Sequence, residues 1–539
     1  MKPQYPLLLL SLCALPALAA DEFGSDWDDP RTADAAIERP DTPSCTLEIV
    51  NHGFANFEPY RNQYIPPQDC PGPWTKVVLD LHGDVAGVQY DRLGHLEIGG
   101  VTVLTTSTPE PSREGIQWHV EKDISAYAPL LSEPQPVIMY LGNLVNDTYT
   151  GVLNIRTTLT FYQADKEHKA LETADRILRP TGLHRDGADL VGSISLPRNT
   201  RRLEAEVYAT GSGGGCEEFW YFTAPAEAGY SCGADDGPYR EVQVWLDGRL
   251  AGMALPYPHI YTGGWANPFL WYVLPAPRAF NIKPLRYDLT PFAGLLNDGQ
   301  AHELRLRVLG VSEGQSGWAL RPSLFLWQDH ELEAVQGGLL AYQAGELVND
   351  SQFQPQDDGT FLLATRGSHA LDVTGYLDTS KGRVTTRVER RLSHHNDHGW
   401  DQGEWHDGID AWWRDEARVT TSWRDHFPVV RERSSHFGVD GLLSVEPVDG
   451  HYRITTDMRL FDHGDNSDSK GPRTIAWSRL RAGFEGSASW SWGVPRAERN
   501  ATGWSVHEVS EQGSKKRCYR RRIATENGFI TGDDSGCSK

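Results

Sequence analysis

Val77-Val78-Leu79-Asp80-Leu81-His82 alternates apolar and polar side chains as a half-buried strand does. Short runs of the same character recur at 96–103, 137–141 and 153–162, with turn signals such as Leu93-Gly94 and Gly99-Gly100 between them. A second series follows at 203–208, 242–246, 304–308 and 324–327, and polar hairpin-like segments at 383–391 and 452–460. With 53 glycines, 33 prolines and few long helical runs, the pattern predicts an all-β chain: two tandem jelly-roll-like β-sandwiches plus a C-terminal β-rich region. The expected boundaries are an acidic, poorly ordered leader at 21–42, sandwiches at 43–170 and 171–330, and a C-terminal region at 331–539 with an accessory role. The charged stretch 166–176 is expected to be a helix or a linker.

At 539 residues the chain can bury several cores. Its formal charge of −22 argues against nucleic acid as a partner, because a polyanion would be repelled. Lys2, the apolar stretch 7–18 and the small residues Ala17 to Ala20 form a signal-peptide pattern over 1–20, which predicts a secreted or periplasmic protein. That stretch is too short to span a bilayer, and no later one is long enough, so no membrane partner is expected. Without Cys13, six cysteines remain in an exported chain, an even number that reads as three disulfides. Proximity suggests Cys45–Cys70, Cys216–Cys232 and Cys518–Cys537, although six cysteines allow fifteen connectivities. No CxxC pair occurs, so neither a metal nor a redox cofactor is expected. Oligomeric state is left open.

The candidate site centres on Gly213-Gly214-Gly215-Cys216-Glu217-Glu218-Phe219-Trp220-Tyr221, where glycines permit close approach, carboxylates can move protons and rings offer faces for sugars. Gln89-Tyr90-Asp91-Arg92 supplies a partner carboxylate beside a guanidinium. Around these two, Gly99-Gly100-Val101, Thr108-Pro109-Glu110-Pro111, Trp118 to Asp123, Leu141-Gly142-Asn143, Thr148 to Gly151, Gly237 to Val242 and Tyr261-Thr262-Gly263-Gly264 complete a set of motifs. Together they resemble the plant-type, acid-active peptide-N-glycanases, the peptide-N4-(N-acetyl-beta-glucosaminyl)asparagine amidase A family, over roughly 43–330. More distantly the chain resembles the flavobacterial peptide-N-glycanase. There an aspartate followed by arginine, and a glutamate two positions after a cysteine, are the working carboxylates.

The resemblance implies an exported amidase acting on N-glycopeptides or glycoproteins without a cofactor, active in acid and tolerant of 3-linked core fucose. It implies Asp91 as the group that activates water and Glu218 as the one that orients water or the first sugar. Strand alternation would turn Glu217 away from Glu218, so only one of them should enter the cleft. Arg92 either stabilises charge on substrate or is an exposed ion-pair member. Asn143 stands where the flavobacterial type has a third acid, and an amide can only hydrogen-bond. Trp220, Trp265 and Trp271 are candidate sugar platforms or core rings, with Trp220 preferred. His394, His395, Asp397, His398, Asp401, Glu404 and His406 look metal-like in composition but lack a ligand spacing, which favours a polar loop. The cations Lys515, Lys516, Arg517, Arg520, Arg521 and Arg522 read as an intramolecular electrostatic dock or a solvated face. A glycoside hydrolase using the same acids and a non-catalytic glycan-binding sandwich are the competing functions.

Overall fold

A computed structural model describes residues 23, 28–110, 114–170, 172–213, 215–312, 317–495, 498–514 and 517–537. The expected signal peptide, the start of the leader, Pro111, Gly214, Lys515 and Lys516 lie outside the described residues. Eight strands form the first sandwich: β1 (Ser44–Phe54), β2 (Tyr60–Tyr64), β3 (Trp74–Val85), β4 (Leu93–Ile98), β5 (Val101–Ser107), β6 (Ile116–Asp123), β7 (Gln135–Leu141) and β8 (Leu153–Gln163). Two antiparallel sheets, β1-β8-β3-β6 and β2-β7-β4-β5, face each other. That order is a jelly roll, in which the chain alternates between sheets and consecutive strands pair mainly across the fold. Leu79, Leu81, Leu96, Val103, Leu141 and Leu159 fill the space between them. Gly99 and Gly100, both at positive φ, divide the expected 96–103 run into the β4–β5 hairpin, whereas Leu93-Gly94 lies within β4 and is not a turn.

The second sandwich repeats the plan with β9 (Arg176–Leu178), β10 (Thr181–Asp186), β11 (Asp189–Ile194), β12 (Thr200–Gly211), β13 (Glu241–Leu246), β14 (Arg249–Ala254), β15 (Leu285–Asp288), β16 (His302–Leu309) and β17 (Trp318–Gln328). Its sheets run β15-β12-β17-β9 and β10-β11-β16-β13-β14, the jelly-roll order with β10 added at one edge. The 166–176 segment is a linker and not a helix. Asp165 Oδ1 accepts from the amides of Glu167 and His168, closing a turn where a helix would have to begin.

Residues 336–535 form an eleven-stranded antiparallel sheet among the described residues, with strands of up to 20 residues. It is no peripheral appendage. Leu371, Ile409, Trp413, Met458 and Phe484 share one core with Val207, Val244 and Leu306 of the second sandwich. Arg278 crosses this junction to Asp462 at 2.6 and 2.7 Å and lies 4.1 Å from the Tyr257 ring centroid. The guanidinium holds the buried Asp462 carboxyl below its ordinary pKa even though burial opposes this.

The leader differs from expectation too. From residue 28 it is an ordered strap without regular structure, because it finds partners on both sides. The Tyr519 hydroxyl donates to Ala33 O at 2.8 Å, and Arg39 bridges Asp80 at 2.8 Å and Glu121 at 2.5 Å. The three expected disulfides are formed. No helix among the described residues is long and apolar enough to cross a membrane. Removing one partner of a buried ion pair leaves the other uncompensated, so Arg278→Ala should lower unfolding free energy by about 3 kcal/mol in a denaturant titration. A loss below about 0.5 kcal/mol would show that the junction does not depend on this pair.

Candidate active site

The edge strand β5 of the first sandwich is not left bare. Ile282 N donates to Thr105 O at 3.1 Å and Ser107 N to Ala279 O at 3.1 Å, so a segment of the second sandwich continues the sheet. Chain leaving β5 passes Thr108 and reaches Glu110, and chain entering β4 passes Asp91 and Arg92. Thr108 ties the two together: its N donates to Arg92 O at 3.0 Å and its Oγ1 accepts from Arg92 N at 2.9 Å. Asp91 and Glu110 therefore emerge side by side at the seam.

Facing them is the turn 261–267 of the second sandwich. Gly263 N donates to Asp91 Oδ2 at 2.9 Å, and Thr262 Oγ1 to Thr108 O at 3.0 Å. A Cβ on Gly263 would stand 2.7 Å from Glu110 Oε1 and 3.5 Å from Asp91 Oδ1, so glycine is required for two carboxylates to approach one backbone atom. Burial raises the pKa of Asp91 against the opposing effects of the Gly263 amide and Arg92. Burial, then the Asp91 charge, pushes Glu110 up to about 8, with Arg499 of the C-terminal sheet acting the other way. A proton shared unequally by two neighbouring acids is the arrangement that separates a base from an acid.

Glu218 comes near the turn through Gly211, whose Cβ, if present, would stand 3.7 Å from the Glu218 Cα. Residues 216–219 form a turn and not a strand, yet the adjacent glutamates still diverge. Glu217 is 2% exposed and accepts from two Arg240 nitrogens, at 2.8 and 3.0 Å, together with Trp318 Nε1 at 2.6 Å. Its chemistry is spent on the core. Half-buried Glu218 contributes, with Asp91, to raising the Tyr261 hydroxyl above the usual phenol range, though burial is the larger cause. The Tyr261 hydroxyl donates to Gly211 O at 3.0 Å.

Several expected ligand contacts fall elsewhere. Trp220 is 2% exposed and packed against Tyr221, Trp318 and Trp413, so it has no face for a sugar. Trp271 is a core ring as well. Trp265, 4% exposed, sits at φ 59° in the turn and packs against Gly441. Asn143 is fully buried, donating to Phe54 O and Gly151 O and accepting from Leu144 N, a loop clamp that cannot also reach substrate. Arg92 makes no ion pair with Asp91 among the described residues and turns its NH2 nitrogen to Gln89 Oε1 at 2.6 Å. The exposed ring beside Asp91 is Tyr90, paired with Tyr149 at 4.9 Å.

The histidine window is mostly strand: 394–401 end one strand, Glu404 lies in the turn that follows, and His406 starts the next. His394 stacks on Trp413 at 5.1 Å and His398 bonds Asp407 at 2.7 Å, both facing the core. Asp80, His119 and Glu121 bring ligand atoms within 4.8 Å of one another, but the Arg39 guanidinium already bridges two of them. Arg517, Arg520 and Arg521 pair with Glu511, Glu508 and Asp533 on a solvated part of the sheet.

Residues 31–345 match the family model described as Peptide N-acetyl-beta-D-glucosaminyl asparaginase amidase A. The chain belongs to that family. A relative, the peptide-N4-(N-acetyl-beta-glucosaminyl)asparagine amidase A of Prunus dulcis, is 33% identical over 387 residues, covering 65% of this chain and 66% of the relative. The chain thus spans just under two thirds of that protein's length. Within the amidase A family frame, Glu110 is the residue that sequence reasoning passed over. Its signal was an acid flanked by prolines directly after an apolar strand, inside a motif already noted.

The two adjacent glutamates should separate in one experiment. Glu217→Gln should cost about 3 kcal/mol of stability by leaving Arg240 buried without its countercharge, while Glu218→Gln should stay within about 1 kcal/mol of wild type. Equal losses in chemical denaturation would contradict the division of roles.

Proposed function

We propose that this chain is an exported amidase that hydrolyses the bond between an asparagine side chain and the first N-acetylglucosamine of an N-glycan. What supports the proposal is the approach of Asp91 and Glu110 to the Gly263 backbone, with Glu218 near the Tyr261 hydroxyl through Gly211, in a chain of the amidase A family. The relative from Prunus dulcis bears the name of that activity.

Ionised Asp91 takes a proton from a water whose oxygen attacks the side-chain amide carbon. Negative charge develops on the carbonyl oxygen, where Arg92 or a backbone N–H of the seam stabilises it. Collapse of the tetrahedral intermediate breaks the C–N bond, and protonated Glu110 supplies the proton that the leaving nitrogen needs. The peptide keeps an aspartate, the glycan leaves as a glycosylamine, and the proton on Asp91 returns to Glu110 through solvent. Glu218 orients the water or the first sugar, and Tyr90 offers that sugar a ring face. No step requires a nucleophilic side chain.

Product masses test this against its competitors. The proposal expects peptide with Asp in place of the glycosylated Asn. A residual N-acetylglucosamine on Asn would indicate a glycoside hydrolase, and unchanged glycopeptide a binding protein. Asp91→Asn should abolish turnover while glycopeptide still binds, and Glu218→Gln should lower kcat by several orders of magnitude. Normal rates in Asp91→Asn would end the assignment.

The pH dependence follows from the same pair. Activity needs Asp91 ionised and Glu110 protonated, so kcat/KM should fall on the acid side as Asp91 takes up its proton and on the alkaline side near pH 8 as Glu110 loses its own. Glu110→Gln should lower kcat by roughly 10²–10⁴ and remove the alkaline fall from the residual activity. An unchanged profile would exclude Glu110 as the proton donor.

A further inference from the structure

The inner face of the C-terminal sheet is covered by the second sandwich along most of its width, but one end is not. Buried even-numbered residues of the strand His451–Lys470, namely Ile454, Thr456, Met458 and Leu460, face the sandwich, as do Phe484, Ala488 and Trp490 of the strand Arg473–Trp492. Alternation puts Tyr452 and Trp492, which are register partners, on that same face just past the last covered row. Trp405 joins them from the turn before His406. Trp405 and Tyr452 lie 5.3 Å apart at 30°, and Tyr452 and Trp492 5.7 Å apart at 36°, so the three rings form a contiguous row. Trp405 and Trp492 are 40% and 53% exposed, with Tyr452 half-buried between them.

Isolated exposed rings are ordinary on a protein surface, but a contiguous row indicates a ligand. This row is rigid. Trp405 N donates to Asp401 Oδ1 at 2.8 Å, and its carbonyl accepts from Val445 N at 2.7 Å. Flat rings that carry their own N–H and O–H donors match a pyranose, whose C–H face stacks while its hydroxyls bond sideways. They suit an apolar protein surface less well.

The row is continuous with the carboxylate seam. Trp490, one pleat repeat before Trp492, donates its Nε1 to Ala266 O at 3.1 Å, in the same turn whose Gly263 amide holds Asp91. Arg499 lies 5.3 Å from the Trp490 ring centroid, and its carbonyl accepts from Ser491 N at 2.7 Å. One step along a strand therefore leads from the turn at the candidate site to the exposed rings.

We infer that Trp405, Tyr452 and Trp492 form an extended sugar subsite that holds the outer residues of a glycan whose first N-acetylglucosamine lies at Asp91 and Glu218. The inference rests on the amidase reading for the direction of the glycan, but the subsite itself is a binding surface that stands or falls separately. Trp492→Ala and Tyr452→Ala change exposed or half-exposed rings and should leave thermal melting near wild type. The probes are one peptide carrying either a branched complex-type glycan or two N-acetylglucosamine residues alone. Each variant should raise KM roughly tenfold for the long glycan, with kcat unchanged and the short substrate unaffected. Trp504→Ala, an exposed ring on the opposite face, should change neither. Equal losses on both substrates, or no loss on either, would overturn the subsite. Should the chain cleave no glycopeptide at all, the amidase reading fails, and calorimetric titration with the free branched oligosaccharide decides the subsite: weaker binding in both variants supports it, unchanged or undetectable binding in wild type and variants alike overturns it.

Discussion

A single turn, residues 261–267, is gripped from three directions, and the arrangement of the molecule depends on it. Gly263 donates to Asp91 in the first sandwich, Trp265 packs against Gly441, and Asn267 donates to Ala488 O in the C-terminal sheet at 2.8 Å. Trp265 and Ala266 both occupy left-handed backbone, at φ 59° and 50°, a conformation that side-chain-bearing residues adopt at some energetic cost. The surrounding contacts hold that geometry in place. They also explain why Gly263 can serve two carboxylates at once, since any side chain there would occupy the position of the Glu110 oxygen.

The C-terminal sheet takes on meaning from the same turn. Its residues share the core of the second sandwich, its tryptophan at 490 anchors the turn, and Arg499 moderates the proton affinity of Glu110. A region that looks accessory from its polar hairpin composition is thus a wall of the site. The N-terminal strap closes the circuit by bonding to Tyr519 at one point and to Asp80 and Glu121 at another. Carboxylates raised in pKa by burial need such rigid surroundings, because solvent entering the seam would relieve the desolvation that shifts them.

Much of this was legible in the sequence. Period-two runs around Val77–His82 and their successors located β3, the β4–β5 hairpin, β7, β8, β12, β13, β16 and β17, and the cysteine spacing anticipated all three bridges. Asp91 and Glu218 were marked by motif. What was not legible has a common cause: a side chain's surroundings are set by which distant segments fold against it. Trp220 and Trp265 have the composition of a sugar platform and the burial of a core, and nothing local distinguishes the two. Asn143 reads as a lost acid but is a buried clamp. Glu110 lies only three residues beyond β5, yet its meeting with Asp91 depends on the β4–β5 hairpin and on a glycine more than a hundred residues away. The tilted rings of Trp405, Tyr452 and Trp492 belong to three separate segments, and only the sheet brings them into line.

The central claim is that carboxylates from both sandwiches face one substrate atom group across the 261–267 turn. A crystal structure of the inactive Asp91→Asn protein soaked with an intact N-glycopeptide tests it most directly. The account predicts the Asn–sugar amide within hydrogen-bonding distance of residue 91 and Glu110, with Glu218 on the water or the first sugar ring. A glycopeptide bound in order elsewhere on the molecule, with the seam between Asp91 and Tyr261 still closed, would contradict it.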